Sequence, residues 1–184
     1  MPATDRDALR RLLRARSVQT GDFVLASGAR SSYYIDARLT TMSGTGQLLI
    51  GSLGLAAMDE RGWQPASVGG LTLGADPVAY AIAHAAAAAD RNLDAFTVRK
   101  QAKSHGTGSR IEGTLREGTT VVVIEDVITS GGSALEAVAV AEEAGATVLG
   151  VLSVVLREDS GRRRIEEAGY AVVSLFTAGE LLKD

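Results

Sequence analysis

The residues best equipped for chemistry run from Glu125 to Ser133: Glu-Asp-Val-Ile-Thr-Ser-Gly-Gly-Ser. Two adjacent carboxylates, Glu125 and Asp126, can accept hydrogen bonds from a vicinal diol. Immediately downstream, Gly131 and Gly132 let the backbone turn tightly, so that several N–H groups converge on one small anion. Thr129, Ser130 and Ser133 add hydroxyl donors. A helix opening at such a turn favours a bound anion by ~0.3–2 kcal/mol. Anion cradle and diol acceptor together describe a pocket for a ribose carrying a 5-phosphate. A plain strand-to-helix turn capped by Ser133, with both acids solvated, is the alternative that these residues leave open. The stretch is neither a P-loop nor a dinucleotide fingerprint, because GxxxxGKS/T and GxGxxG are both absent.

The flanking elements explain how the turn is held. Val121 to Ile124 are β-branched without interruption, the pattern of a strand buried on both faces of a parallel sheet. The strand is expected to end at the two acids. A helix from Ala134 to about Ala144, with Leu135, Val138 and Ala141 on one face, should stop at Gly145.

A second chemical stretch precedes the first. From Val98 to Ile111 the chain carries Arg99, Lys100, Lys103 and Arg110 with no acid, whereas the whole protein has a net charge of −3. Such a reversal suits a polyphosphate, although a solvated basic loop gives the same pattern. His105 and Gly106 lie in the same run. Residues 101–114 lack periodicity and read as a long polar loop, a kind that in compact domains is usually functional or disordered.

The totals exclude several classes. With 184 residues and 46% apolar content, the chain supports one sizeable domain, and 4% aromatics mean that Ala, Val, Leu and Ile fill its core. The mild net charge gives no reason to expect a nucleic-acid or membrane partner. Cysteine is absent and there are only two histidines, which removes disulfides, thiolate metal sites and a cysteine nucleophile. The N-terminus is charged and helical, unlike a signal peptide, and the uncharged run from Leu39 to Met58 reads as the helix of a soluble protein. A cytoplasmic location is expected.

In chain order, residues 4–16 form a short amphipathic helix with arginines on its outer face. Phe23 to Leu25 and Tyr33 to Asp36 are strands of a hairpin around a turn at Ser27–Ser32, apart from the later pattern. A helix follows from Gly44 to about Glu60, then a strand at Ser67–Gly70 and a loop to Asp76. Asp76 is expected to cap a helix that starts with Pro77 and runs to Ala89. Ala95–Arg99 is a strand. Beyond the central strand come a strand at Thr147–Leu156, a helix at Gly161–Ala168, a strand at Tyr170–Leu175 and a terminal helical turn at Ala178–Lys183. Strands alternating with helices predict an α/β fold with a mostly parallel central sheet flanked by helices. The reading is one domain over 1–184, with residues 1–40 as an N-terminal hood and 44–175 as the α/β core. His84, in an alanine-rich helix, is assigned to packing.

The stretch from Thr120 to Ser133 resembles the phosphoribosyl pyrophosphate motif of type I phosphoribosyltransferases. Arg99-Lys100-x-x-Lys103-x-His105-Gly106 resembles the catalytic loop of orotate phosphoribosyltransferases, and the pair of motifs is far more specific than either alone. The resemblance covers nearly the whole chain. It implies transfer of ribose 5-phosphate from phosphoribosyl pyrophosphate to orotate, giving orotidine 5′-monophosphate and pyrophosphate in de novo pyrimidine synthesis. It implies Mg2+, held through substrate oxygens and not by a protein cage, and a homodimer whose loop closes over the partner subunit's site.

Carried over residue by residue, Lys103, His105 and Asp126 are catalytic. Arg99, Lys100, Lys103 and His105 hold the pyrophosphate, and Glu125, Asp126, Val127, Ile128, Thr129, Ser130, Gly131, Gly132 and Ser133 hold the ribose phosphate. Leu73 and Gly74 belong to a pyrophosphate-side loop, and Tyr33, Tyr34, Thr129 and Arg157 face orotate. Core packing for the tyrosines and a surface ion pair for Arg157 are the plain alternatives. The chain departs from many members at Ala26, where lysine is common, at Gly74, where some have a basic residue, and at Leu156, which replaces a frequent acid. A purine-base phosphoribosyltransferase and a regulator sensing phosphoribosyl pyrophosphate are the rival readings.

Overall fold

The computed structural model describes residues 3–24, 28, 30–101 and 109–183. Lys103, His105 and Ala26 lie outside the described residues.

The central strand shows how the sequence builds the core. It spans Thr120–Ile128 (β6) and alternates strictly: Val121 and Val123 pack into one hydrophobic cluster, Val122 and Ile124 into the other, each fully buried. Successive side chains of a strand point to opposite faces, so an unbroken β-branched run requires cover on both.

On one side lie helices Ala3–Arg16 (α1), Gly44–Glu60 (α3) and Ala75–Ala88 (α4), contributing Leu9, Leu13, Ile50, Leu53, Val78 and Ile82. On the other, helix Gly132–Glu143 (α5) contributes Ala134, Ala137, Val138 and Ala141, and helix Asp159–Glu167 (α6) contributes Ile165. A four-residue helix, Arg38–Thr41 (α2), precedes α3, and Ala178–Leu182 (α7) ends the fold in a capping box of Thr177 and Glu180.

Around β6 the sheet adds Ser67–Leu71 (β3), Asp94–Val98 (β4), Ile111–Gly113 (β5), Thr147–Leu156 (β7) and Val172–Thr177 (β8), in the order β5-β4-β3-β6-β7-β8. Every pairing is parallel except β4 with β5. This is the expected mostly parallel α/β architecture. The hairpin also forms, from Val18–Val24 (β1) and Arg30–Ile35 (β2), as a separate antiparallel sheet. Helix α1 is tied to the C-terminal segment by Arg6, which stacks 4.5 Å from the Phe176 ring centroid and bonds Glu180.

Four expectations are corrected. β6 does not end at the acids but carries both within it, because pairing with β7 continues through Glu125↔Ser153 to Ile128↔Leu156. Residues 111–113 are not loop: they add β5 to the free edge of β4. Asp76 does not cap α4, which begins one residue earlier at Ala75. Its carboxylate is engaged instead by Thr72 at 2.6 Å and Thr97 at 2.8 Å. His84 is exposed on α4, not packed in the core.

Candidate functional site

The carboxyl ends of β3, β4, β6 and β7 meet the hairpin at a cavity of about 340 Å3. Ligands of open parallel sheets sit at this edge, where the loops that follow the strands converge. Glu125, Asp126, Val127, Thr129 and Ser133 line it from β6 and the following turn, and Thr72, Leu73 and Gly74 from the loop after β3. Lys100 enters from the end of β4, Arg157 from the end of β7, and Tyr34, Asp36 and Arg38 from the hood.

The two acids differ in environment. Glu125 is 8% exposed, and burial, reinforced by the neighbouring Asp126 charge, pushes its carboxyl up to about 9; Lys100 pulls the other way. Near neutral pH Glu125 therefore keeps its proton and can donate a hydrogen bond. Asp126 is half-buried and accepts the backbone N–H of Val127 at 2.8 Å, which fixes the carboxylate and commits that amide. A protonated acid beside an oriented carboxylate can both donate to and accept from a vicinal diol.

Gly131 adopts φ +75°, a left-handed value that glycine takes without penalty, and α5 begins at the next residue. The anion turn is therefore built with its helix two residues earlier than the apolar pattern indicated. Thr129 and Ser133 face the cavity, whereas Ser130 is exposed. Ile128 ends the strand, and its carbonyl accepts the Arg157 N–H at 2.8 Å.

Arg157 joins the hood to the sheet. Its guanidinium lies 5.2 Å from the Tyr33 ring centroid and donates to Ser31 Oγ at 3.3 Å. Its Nε is buried with no hydrogen-bond partner among the described residues. This is not a surface ion pair: the guanidinium is stacked on Tyr33 and bonded to Ser31 while the residue lines the cavity, where a planar fork suits a planar anionic group. Tyr33 carries that stack, while Tyr34 lines the cavity.

One sequence-predicted cation is placed differently from Lys100. The Arg99 side chain pairs with Glu112 at 3.2 Å and does not line the cavity. At Gly74, an added Cβ would sit 2.6 Å from Asp126 Oδ1, so this position excludes any side chain, basic or not, while Asp126 stays in place.

Asp36, Arg38, Thr72 and Ser31 were missed by sequence reasoning. Arg38 forks onto Asp36 at 2.8 and 3.0 Å, and holds its carboxyl below the usual carboxylate range. The Asp-x-Arg spacing, one residue beyond the paired tyrosines, was the available signal.

No protein-family model matches the chain. The orotate phosphoribosyltransferase of Aquifex aeolicus is 44% identical over 181 residues, covering 97% of this chain and 98% of the relative. The crystal structure of Mycobacterium tuberculosis orotate phosphoribosyltransferase in complex with Fe(III) dicitrate superposes with a TM-score of 0.86 at 42% identity, covering 97% of this chain and 99% of that one. The same mycobacterial enzyme in complex with phosphoribosyl pyrophosphate gives 0.82 at 39% identity, covering 96% and 98%.

Proposed function

The chain belongs to the orotate phosphoribosyltransferase family, and from that membership we propose that its cavity moves ribose 5-phosphate from phosphoribosyl pyrophosphate to N1 of orotate. The products are orotidine 5′-monophosphate and pyrophosphate, a pentosyl transfer of de novo pyrimidine synthesis. One observation carries the reading: a single cavity unites the Glu125–Asp126 pair, the turn that follows them, Lys100 and Arg157.

Asp126 accepts from the ribose hydroxyls, and Glu125, holding its proton, donates to them. Main-chain amides of 129–133 seat the 5-phosphate. Arg157 presents its guanidinium to the anionic or carbonyl edge of orotate, with Tyr33 behind it and Tyr34 at the cavity wall. Departure of pyrophosphate leaves an oxocarbenium-like ribose, so the chemistry is stabilisation of growing negative charge together with exclusion of water. Lys100 and the loop Thr72–Gly74 face the leaving group, and Lys103 and His105 complete its binding by resemblance to the family motif.

The charged side chains lining the cavity beside the protonated Glu125 are Asp36, Arg38, Lys100, Asp126 and Arg157, and Arg38 is already matched to Asp36. Such a lining does not neutralise a polyphosphate. Mg2+ held through substrate oxygens and water would fit such a lining, with Asp126 orienting the ribose diol for the metal. When bound, Mg2+ would neutralise charge on the departing pyrophosphate.

A homodimer is proposed with this activity. Leu39, Met42 and Leu73 border one exposed groove beside the cavity, and Leu48 and Tyr80 border the next along α3 and α4. Apolar ground continuous with the cavity rim suits a second copy that lends the motif carrying Lys103 and His105 to the site. Among the described residues no helix is long and apolar enough to cross a membrane, and a cytoplasmic location is proposed.

The deciding assay incubates the protein with phosphoribosyl pyrophosphate, Mg2+ and each base in turn. Loss of orotate absorbance with release of pyrophosphate is expected. Turnover of hypoxanthine or xanthine without orotate would overturn the proposal.

A further inference from the structure

We propose that Arg164, on α6, is a positioning residue that aims the amides of the phosphate turn from behind. The inference rests on the reading of residues 129–133 as the phosphate seat. Its grounds lie outside the cavity, on the far side of the turn.

Helix α6 packs directly on that turn. An added Cβ at Gly161 would overlap the Thr129 carbonyl oxygen, and one at Gly131 would lie 2.8 Å from the Gly161 carbonyl oxygen. Backbone thus meets backbone without intervening side chains. One helical turn along, Arg164 donates from NH1 to the Ser130 carbonyl at 3.4 Å, and the same nitrogen lies 3.7 Å from a Cβ built on Gly132. The guanidinium lies across Ser130–Gly132, and no carboxylate among the described residues pairs with it.

The consequence follows from peptide geometry. In a planar trans peptide, C=O and N–H point in opposite directions. Among the described residues the only cis bond is Thr72–Leu73, so the units after Thr129 and Ser130 are trans. With the Thr129 carbonyl against Gly161, the Ser130 N–H faces away from α6. With the Ser130 carbonyl held by Arg164, the Gly131 N–H does the same. A left-handed glycine is the residue whose flanking peptides flip most readily, so this is where an external hold matters. Arg164 touches no reacting atom; it acts through the turn.

The test compares Arg164→Met, which keeps an apolar stem without a donor, with Arg164→Lys, which restores one. Binding of ribose 5-phosphate is measured by calorimetry, alongside KM and kcat for both substrates and the melting temperature. Loss of one long, partly exposed donor predicts about 3- to 10-fold weaker ribose 5-phosphate binding in Arg164→Met. KM for phosphoribosyl pyrophosphate should rise equally, with KM for orotate unchanged, kcat within about twofold, and recovery in Arg164→Lys. Wild-type affinity in Arg164→Met would overturn the inference. So would a rise of both KM values together with a fall in kcat and melting temperature, which marks general loosening. If the wild type itself binds no ribose 5-phosphate, the phosphate seat fails, a result distinct from failure of Arg164 alone.

Discussion

Replacing Glu125 with glutamine should make the protein more resistant to unfolding as the pH rises. The unfolded carboxyl titrates near 4.5, whereas burial first, and the Asp126 charge second, push the native one up to about 9. Between those values the native chain holds a proton that the unfolded chain has lost. Raising the pH through this window therefore favours unfolding, by up to about 1.4 kcal/mol per pH unit. By pH 7 the cost is on the order of 3 kcal/mol, a large share of the ~5–15 kcal/mol that holds a typical domain folded. Below pH 4.5 both states are protonated and the effect vanishes. Glutamine matches the protonated acid in shape and never ionises. Urea unfolding of wild type and Glu125→Gln should give stabilities within about 1 kcal/mol at pH 5 and a gap of roughly 4–5 kcal/mol in favour of the variant at pH 8. A gap that does not change between those pH values would refute the reasoning. Since a neutral side chain already serves the site at pH 7, Glu125→Gln should also lose less turnover there than Asp126→Asn.

Gly74→Ala should push the Asp126 carboxylate aside, because the new methyl would begin 2.6 Å from its oxygen. Turnover should drop about 10- to 100-fold with little change in melting temperature, as for a small misplacement of a reacting group; wild-type kcat/KM would refute this. Arg157→Lys keeps the charge but not the fork, so KM for orotate should rise about tenfold while KM for phosphoribosyl pyrophosphate holds. Equal changes in both would place Arg157 elsewhere in the reaction. Lys103→Ala should lower turnover about 10²–10³-fold, by analogy with loss of one preorganised charge-stabilising donor. Mixing it with Asp126→Asn chains should recover activity if the loop serves the partner's site, and no recovery after verified subunit exchange would exclude that arrangement.

The central strand and its turn were legible because their signals are local. A β-branched run, two acids and a glycine turn need no distant partner to be read, and the helix boundaries of α3 and the span of β7 matched the pattern closely. What escaped depends on contacts between distant segments. Nothing local distinguishes Asp76 as a cap from Asp76 as the acceptor of Thr72 and Thr97, since an acid at a helix start suits both. β5 is three residues long and exists because β4 offers an edge, a fact of the sheet and not of Ile111–Gly113. His84 lies in an apolar stretch, and its exposure follows from which face of α4 the sheet covers. The link from Arg157 to Ser31 spans 126 residues and has no sequence signature.

The strand order has a consequence for how this scaffold can change. On the proposed reading, sugar and phosphate are served by the middle strand, which neighbours flank on both sides. The proposed nucleobase wall would be assembled from a peripheral ribbon and the tip of one adjoining strand, which Arg157 links. Exchanging that ribbon and its link would retune which heterocycle is accepted while the ribose machinery stays untouched. On that reading, selectivity and catalysis are carried by separable pieces of one chain.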